Sequence, residues 1–104
     1  MLIRWANEND LPAWYAIASE LSVVMRHPAD MGTDLEFISY AKSKASKYEA
    51  LTAVDYMSGN TMGFIGFSRT HNRITWIGVS GKYRGKGIGS RLLKTALHLL
   101  KQRK

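Results

Sequence analysis

The most informative segment of this chain runs from Val79 to Leu93 and has the sequence VSGKYRGKGIGSRLL. An apolar strand ends where the stretch begins, glycines recur at positions 85, 87 and 89, and an amphipathic helix follows at once. Glycine lets a ligand approach the backbone closely, and the unpaired N–H groups of a first helical turn attract an anion. Lys82, Arg84 and Lys86 add positive charge. The stretch therefore predicts a strand–loop–helix unit that binds a phosphate without a metal.

Two common phosphate-binding patterns do not fit this loop. The P-loop pattern requires Ser or Thr after Gly-Lys, but Tyr83 and Gly87 follow the two Gly-Lys pairs. The dinucleotide pattern G-x-G-x-x-G fails because Ser90 stands where the third glycine belongs. A glycine-rich turn without a ligand is the alternative. It accounts for one or two glycines, but poorly for three glycines and three bases at the start of a helix.

The charge of the chain is unevenly distributed. Residues 69–104 hold ten Lys and Arg and no acid, whereas residues 1–68 hold five bases and eight acids, a net charge of −3. A C-terminal part this basic indicates a polyanionic partner: nucleic acid, an anionic membrane or a ligand with several phosphates. A basic face that is merely solvated is the remaining alternative.

Length and composition limit the class of protein. A chain of 104 residues with 45% apolar residues is expected to form one domain with a core, which we place over residues 1–104. Without cysteine, it has no disulfide, thiolate metal site or cysteine nucleophile. The N-terminus does not resemble a signal peptide, and no apolar run is long enough to span a membrane. We therefore expect a soluble, cytoplasmic protein.

Hydrophobic spacing and turn residues predict the order β-α-α-β-β-β-loop-α, which is typical of an α+β, or mixed α/β, fold. The predicted strands cover residues 2–6, 51–54, 61–69 and 73–80. The predicted helices cover residues 11–25 and 88–102, with a third helix beginning at a capping box formed by Thr33 and Glu36. Trp5, Trp14 and Trp76 stand at core-like positions.

The segment Arg84-Gly85-Lys86-Gly87-Ile88-Gly89 matches [RQ]-x-x-G-x-[GA], the acyl-CoA signature of the GNAT acetyltransferases. Residues 74–100 resemble motif A of that family, and the order of elements resembles the N-terminal part of its three-layer fold. The resemblance implies an N-acetyltransferase. It would transfer an acetyl group from acetyl-CoA to an unidentified primary amine by direct attack in a ternary complex.

The resemblance also implies a binding role for individual residues. Backbone N–H groups from Gly85 to Ser90 would bind the pyrophosphate of coenzyme A, and Arg84 would add a charged hydrogen bond. Ile77 to Val79 would lie along the pantetheine arm, with a bulge at Gly78 and an N–H near Val79 that stabilises the oxyanion. The implied cofactor-binding residues are Ile77, Gly78, Val79, Arg84, Gly85, Lys86, Gly87, Ile88, Gly89 and Ser90. The phosphates of coenzyme A are consistent with the basic C-terminal part.

The sequence also departs from the family pattern. The family fold continues after this helix with a strand, a helix and a hairpin, and often supplies a tyrosine as general acid, which nothing here matches. The middle strands of many members carry a glutamate base, whereas this chain has Thr75, Trp76 and Ile77 there. The nearest acids, Glu49 and Asp55, are interpreted as surface or capping charges. The catalytic residues therefore stay unassigned.

These departures leave alternatives open. An open edge at strand 73–80 predicts a homodimer through that strand, strand exchange, or a fragment of a longer protein. The chain could also bind acyl-CoA without turnover. Nucleic acid bound by the basic C-terminal part, with Trp76 and Tyr83 as stacking platforms, is the least favoured function. His27, His71 and His98 lack ligand spacing, so we expect no metal.

Overall fold

The computed structural model describes residues 1–25 and 34–101, and its elements follow the predicted order. The strands are β1 (Leu2–Trp5), β2 (Ala50–Val54), β3 (Thr61–Ser68) and β4 (Arg73–Val79). The helices are α1 (Leu11–Met25), α2 (Asp34–Ser46) and α3 (Ile88–Lys101), and 3-10 turns cover Glu8–Asp10 and Gly81–Tyr83. The predicted α+β class is confirmed. The Thr33 cap, the first-helix stop at residues 26–28 and residue 102 lie outside the described residues.

The four strands form one antiparallel sheet in the order β1-β2-β3-β4. The central strand β3 is buried along almost its whole length, and Ile65 pairs with Leu51 on one side and Ile77 on the other. Within residues 1–25 and 34–101, β4 pairs with β3 alone, so its second edge is open.

Helix α3 covers one face of the sheet and α1 and α2 cover the other, which gives three layers. The buried residues of α3 recur at every fourth position because that spacing keeps them on one side of a helix: Ile88, Leu92, Ala96 and Leu100. The neighbouring Leu93 is 38% exposed, since it lies about 100° around the helix from Leu92.

An aromatic core fills the space between the sheet and α1 and α2. Trp14 is completely buried and stacks on Phe64 with ring centroids 5.0 Å apart, while Phe37 contacts it edge-on. Phe37 rather than Ile38 is the buried residue at that turn of α2. Trp5, predicted to be a core residue, is at the sheet edge instead, where it remains 36% exposed and packs against Tyr48.

The start of α1 is tied to β1 by a buried carboxylate. Asp10 accepts hydrogen bonds from the two terminal nitrogens of Arg4, each at 2.9 Å, and from the N–H of Asn7 at 2.8 Å. Burial by itself raises the pKa of the Asp10 carboxyl, but the hydrogen bonds from Arg4 and Asn7 and the charge of Arg4 outweigh it and hold that pKa below its ordinary value. Asp10 is therefore expected to be ionised in the folded protein.

A second carboxylate holds the turn between β3 and β4. Glu49, interpreted from sequence as a surface or capping charge, is buried. It accepts hydrogen bonds from the N–H of Arg69 at 2.7 Å and from Lys44 Nζ at 3.2 Å. Asp55 accepts from the N–H of Met57 and is a capping charge, as predicted. Both carboxylates thus serve the fold, and Glu49 is structural because the turn and the end of α2 meet around it.

Candidate functional site

The loop between β4 and α3 begins with a 3-10 turn and continues through two left-handed glycines. The turn is closed by the N–H of Tyr83, which donates to the carbonyl of Ser80 at 2.9 Å. Gly85 and Gly87 then adopt φ angles of +81° and +77°, which L side chains rarely adopt. Among the described residues other than its two chain neighbours, a Cβ atom at either position would meet no atom within 4 Å. Both glycines therefore border open space.

The backbone donors that follow are unpaired. The first bond into α3 runs from the N–H of Arg91 to the carbonyl of Gly87 at 3.1 Å. Across the described ranges, no acceptor is hydrogen-bonded to the N–H groups of residues 85–90. These donors stand at the positive end of the dipole of α3, a place where anions are stabilised. The exposed side chains of Lys82, Lys86 and Arg91 surround them with positive charge.

Gly89 and Ile88 contribute to this loop differently from the two left-handed glycines. A Cβ atom at Gly89 would lie 3.6 Å from Cγ2 of Val79, an ordinary contact. Gly89 therefore lets α3 pack closely on the end of β4. The side chain of Ile88 is buried in the core, so only its main chain faces the loop. Of the glycines in the signature, only Gly85 and Gly87 face open space.

Arg84, the first residue of the signature, is bound within the protein. Its Nη2 atom donates to Glu20 Oε1 at 3.0 Å, and its Nε atom donates to the carbonyl of Val79 at 3.2 Å. Glu20 also accepts from the N–H of Gly81 at 2.6 Å. Sequence reasoning missed Glu20, because no local pattern relates it to a loop about sixty residues later.

Strand β4 presents the three residues expected along the pantetheine arm. Ile77 is 42% exposed, Val79 is half-buried, and Gly78 is buried and pairs with Phe64 in regular register. The prediction of a bulge at Gly78 is wrong. The register shifts instead between Gly66 and Phe67, leaving Thr75 as the extra residue on β4.

The position of the bulge has a physical reason in the packing of α2. The hydroxyl of Tyr40 is hydrogen-bonded to Oγ1 of Thr75 at 2.5 Å. A Cβ atom at Gly66 would lie 2.5 Å from that hydroxyl, so only glycine leaves room for it. Burial raises the pKa of Tyr40, which is therefore a neutral phenol at physiological pH.

Within residues 1–25 and 34–101, no group of three His, Cys, Asp or Glu side chains could hold a metal ion. No helix in the same ranges has the length and apolar character needed to cross a membrane. His27 lies outside the described residues.

Several solved structures resemble this fold. A ribosomal-protein-alanine N-acetyltransferase from Brucella melitensis superposes with a TM-score of 0.72 at 23% identity, over 100% of this chain and 69% of that one. An acetyltransferase from Vibrio fischeri gives a TM-score of 0.66 at 19% identity, over 98% of this chain and 88% of that one. At such identities the likeness shows the fold alone. A comparison with curated proteins finds no match.

Membership of a family is shown by the sequence itself. The family model described as "Acetyltransferase (GNAT) family" matches residues 11–104, which includes α1, the sheet from β2 to β4, the glycine loop and α3. The resemblance carried by Arg84 to Gly89 is therefore confirmed over most of the chain. The chain belongs to the GNAT acetyltransferase family.

Proposed function

We propose that this protein is an N-acetyltransferase that binds acetyl-CoA at the loop of residues 84–90 and transfers the acetyl group to a primary amine. The observation that carries the proposal is the run of unpaired N–H groups from Gly85 to Ser90 at the start of α3. Family membership supports it, because GNAT proteins in general use acetyl-CoA as donor.

The pyrophosphate is the part of acetyl-CoA that suits this loop. Main-chain donors can surround its oxygens, since Gly85 and Gly87 border open space and place no side chain in the way. Lys82, Lys86 and Arg91 offset its charge. Arg84 is assigned a different role, because its guanidinium already binds Glu20 and the Val79 carbonyl.

The pantetheine arm would follow the open edge of β4. An extended ligand can pair with such an edge as a strand does, and Ile77, Gly78 and Val79 are the strand residues that directly precede the loop. The amine nitrogen would then attack the thioester carbonyl carbon. A C–N bond forms, the C–S bond breaks, and a proton lost by the amine goes to the departing thiolate. A backbone N–H near Val79 would stabilise the oxyanion.

A second candidate function is acyl-CoA binding without turnover. It is favoured by the engagement of three carboxylates with bases elsewhere: Asp10 with Arg4, Glu20 with Arg84, and Glu49 with Lys44. In the part of the chain that the structure describes, β4 itself carries no carboxylate that could act as a base. The general base and general acid remain unassigned.

Thermal unfolding in the presence of acetyl-CoA tests both candidates together. Binding to the folded state stabilises it by about 2.7 kcal/mol at 100 times the Kd, so the melting temperature should rise clearly. No shift at millimolar acetyl-CoA contradicts both functions. If a shift occurs, release of free thiol against a panel of amines identifies an enzyme, and no release with any amine supports the binder. Random oligonucleotides that bind with steep salt dependence would favour nucleic acid instead.

We also propose that, in the absence of acetyl-CoA, two copies associate through the open edge of β4, the edge that the pantetheine arm would otherwise follow. An unpaired strand edge presents N–H and C=O groups that another strand can pair with. Light scattering at high micromolar concentration should show a dimer. A monomer under those conditions contradicts this pairing.

A further inference from the structure

Glu20 connects helix α1 to the beginning of the glycine loop. Its Oε1 atom accepts a hydrogen bond from the N–H of Gly81 at 2.6 Å and another from Arg84 Nη2 at 3.0 Å. A Cβ atom at Gly81 would lie 2.8 Å from the same oxygen. The short contact therefore depends on glycine at position 81, which lets the carboxylate reach the main chain.

Arg84 extends this connection to the end of β4. While its Nη2 atom binds Glu20, its Nε atom donates to the carbonyl of Val79 at 3.2 Å. One guanidinium thus joins α1 to the last residue of the strand. The residue that carries it directly precedes Gly85, where the unpaired N–H groups begin.

The loop makes few other polar contacts with side chains. Within the described residues, and apart from the contacts of Glu20 and Arg84, residues 81–87 make one hydrogen bond to a distant side chain, from Asn60 to the Tyr83 hydroxyl at 3.3 Å. Tyr83 also packs against the hydrophobic core. Gly85 and Gly87 have left-handed φ angles, and a Cβ atom at either would lie more than 4 Å from the described residues other than its chain neighbours. Among polar side chains, Glu20 is therefore the one that connects both the start of the loop and Arg84 to helix α1 in the described part of the chain.

We infer that Glu20 is a positioning residue for the coenzyme, an inference that rests on the proposed function. A carboxylate beside a phosphate site repels the ligand, so its charge alone opposes binding. Its benefit is geometric, because it holds Gly81 and Arg84 so that the N–H groups of residues 85–90 converge on one anion. Residues 69–104 contain no acid, so the partner has to come from an earlier part of the chain, and α1 supplies it.

The two effects of Glu20 have opposite signs, which makes the inference testable. In Glu20→Ala, the affinity for coenzyme A measured by calorimetry should fall roughly tenfold. This is the lower end of the range of effects for losing a hydrogen bond to a charged group, because Glu20 is half-exposed. If Glu20 acted only as a negative charge near the phosphates, the same variant would bind coenzyme A more tightly. Glu20→Gln keeps an acceptor for the Gly81 N–H and should recover part of the affinity.

A matched control is Glu8→Ala. Glu8 is also an exposed acid with a basic partner, Lys42 at 3.9 Å, but it lies beside α2 and away from the loop. The control should leave the affinity for coenzyme A unchanged. Glu20→Ala and Arg84→Ala should be non-additive when combined, because each removes the same contact.

Amide hydrogen exchange without ligand separates failure of this inference from failure of the proposed function. In Glu20→Ala, exchange should accelerate at Gly81 and stay unchanged in β2 and β3. Wild-type protein that does not bind coenzyme A would contradict the proposed function, whereas faster exchange at Gly81 would still support the contact. Wild-type protein that binds, together with Glu20→Ala that binds equally or more tightly, would overturn the inference.

Discussion

At each end of strand β4, a carboxylate accepts a hydrogen bond from a backbone N–H, but the two contacts have different roles. At the N-terminal end, the buried carboxylate of Glu49 accepts the N–H of Arg69 and pairs with Lys44, which closes the turn from β3. At the C-terminal end, the exposed carboxylate of Glu20 accepts the N–H of Gly81, but the N–H groups of residues 85–90 have no hydrogen-bond acceptor within residues 1–25 and 34–101. One end is closed and structural, while the other leaves main-chain donors available to a ligand.

Gly59 shows that a left-handed glycine does not by itself mark a site. Its φ angle of +80° matches those of Gly85 and Gly87, and a Cβ there would also meet nothing within 4 Å. Its N–H, however, donates to the carbonyl of Asp55 at 2.6 Å, and the turn closes on itself. What distinguishes the glycine loop is the set of unpaired donors that follows it.

The largest expected effect is on ligand binding and comes from Gly87→Val. The new side chain would occupy the open space assigned to phosphate, so we expect the affinity for coenzyme A to fall at least roughly a thousandfold, about 4 kcal/mol. Gly59→Val is the control, because it carries a similar left-handed strain of about 1–3 kcal/mol. Calorimetry should show normal binding for Gly59→Val, and unchanged binding for Gly87→Val would remove the pyrophosphate assignment.

The next effect concerns the closed end of β4. In Glu49→Gln, the mostly buried Lys44 loses its ionic partner, and the free energy of unfolding should fall by about 3 kcal/mol. Glu8→Gln breaks an exposed ion pair and should change that free energy by less than about 0.5 kcal/mol. Urea denaturation measures both. Equal effects in the two variants would show that Glu49 is no more structural than a surface charge.

Acid should destabilise the protein through the carboxylates whose pKa is lowered in the fold. Burial raises the pKa of Glu49, but the Arg69 N–H, the Lys44 hydrogen bond and the charges of Lys44 and Lys47 outweigh it. A carboxyl whose pKa is lowered by folding stabilises the protein when the pH is above its ordinary pKa, which is 3.8 for Asp10 and 4.5 for Glu49. This contribution to the free energy of unfolding is lost as the pH falls through the lower pKa of the folded state. Urea denaturation across this range should show the loss, reduced in Glu49→Gln.

The smallest effect is expected from Gly89→Ala. The added methyl group would make an ordinary contact with Val79 and would not enter the open space beside Gly87. Alanine also favours the helix by up to about 1 kcal/mol relative to glycine. The melting temperature should rise slightly, and the affinity for coenzyme A should change less than about threefold, or 0.7 kcal/mol. A large loss of binding would place the ligand against Gly89 as well.

Local patterns were sufficient to predict the order of elements and the position of the loop. The position of α3 and of its first residue was predicted correctly from three local features: alternating glycines, clustered bases and apolar residues four positions apart. Each of these features involves only residues that are close along the chain. Local patterns do not show which apolar helix residues stay exposed, such as Ile38 and Leu93, because this depends on which side of each helix meets the sheet.

The sequence alone determined that a basic, glycine-rich loop joins an apolar strand to an amphipathic helix, since these features are encoded by neighbouring residues. The bulge of β4 is not visible in local patterns, because it lies where the hydroxyl of Tyr40 packs against Gly66 and Thr75, which are distant from Tyr40 in the sequence. Tertiary structure also decided the roles of Glu49 and Glu20. The role of each carboxylate depends on the backbone N–H group that folding places beside it. These N–H groups belong to residues far from Glu49 and Glu20 in the sequence.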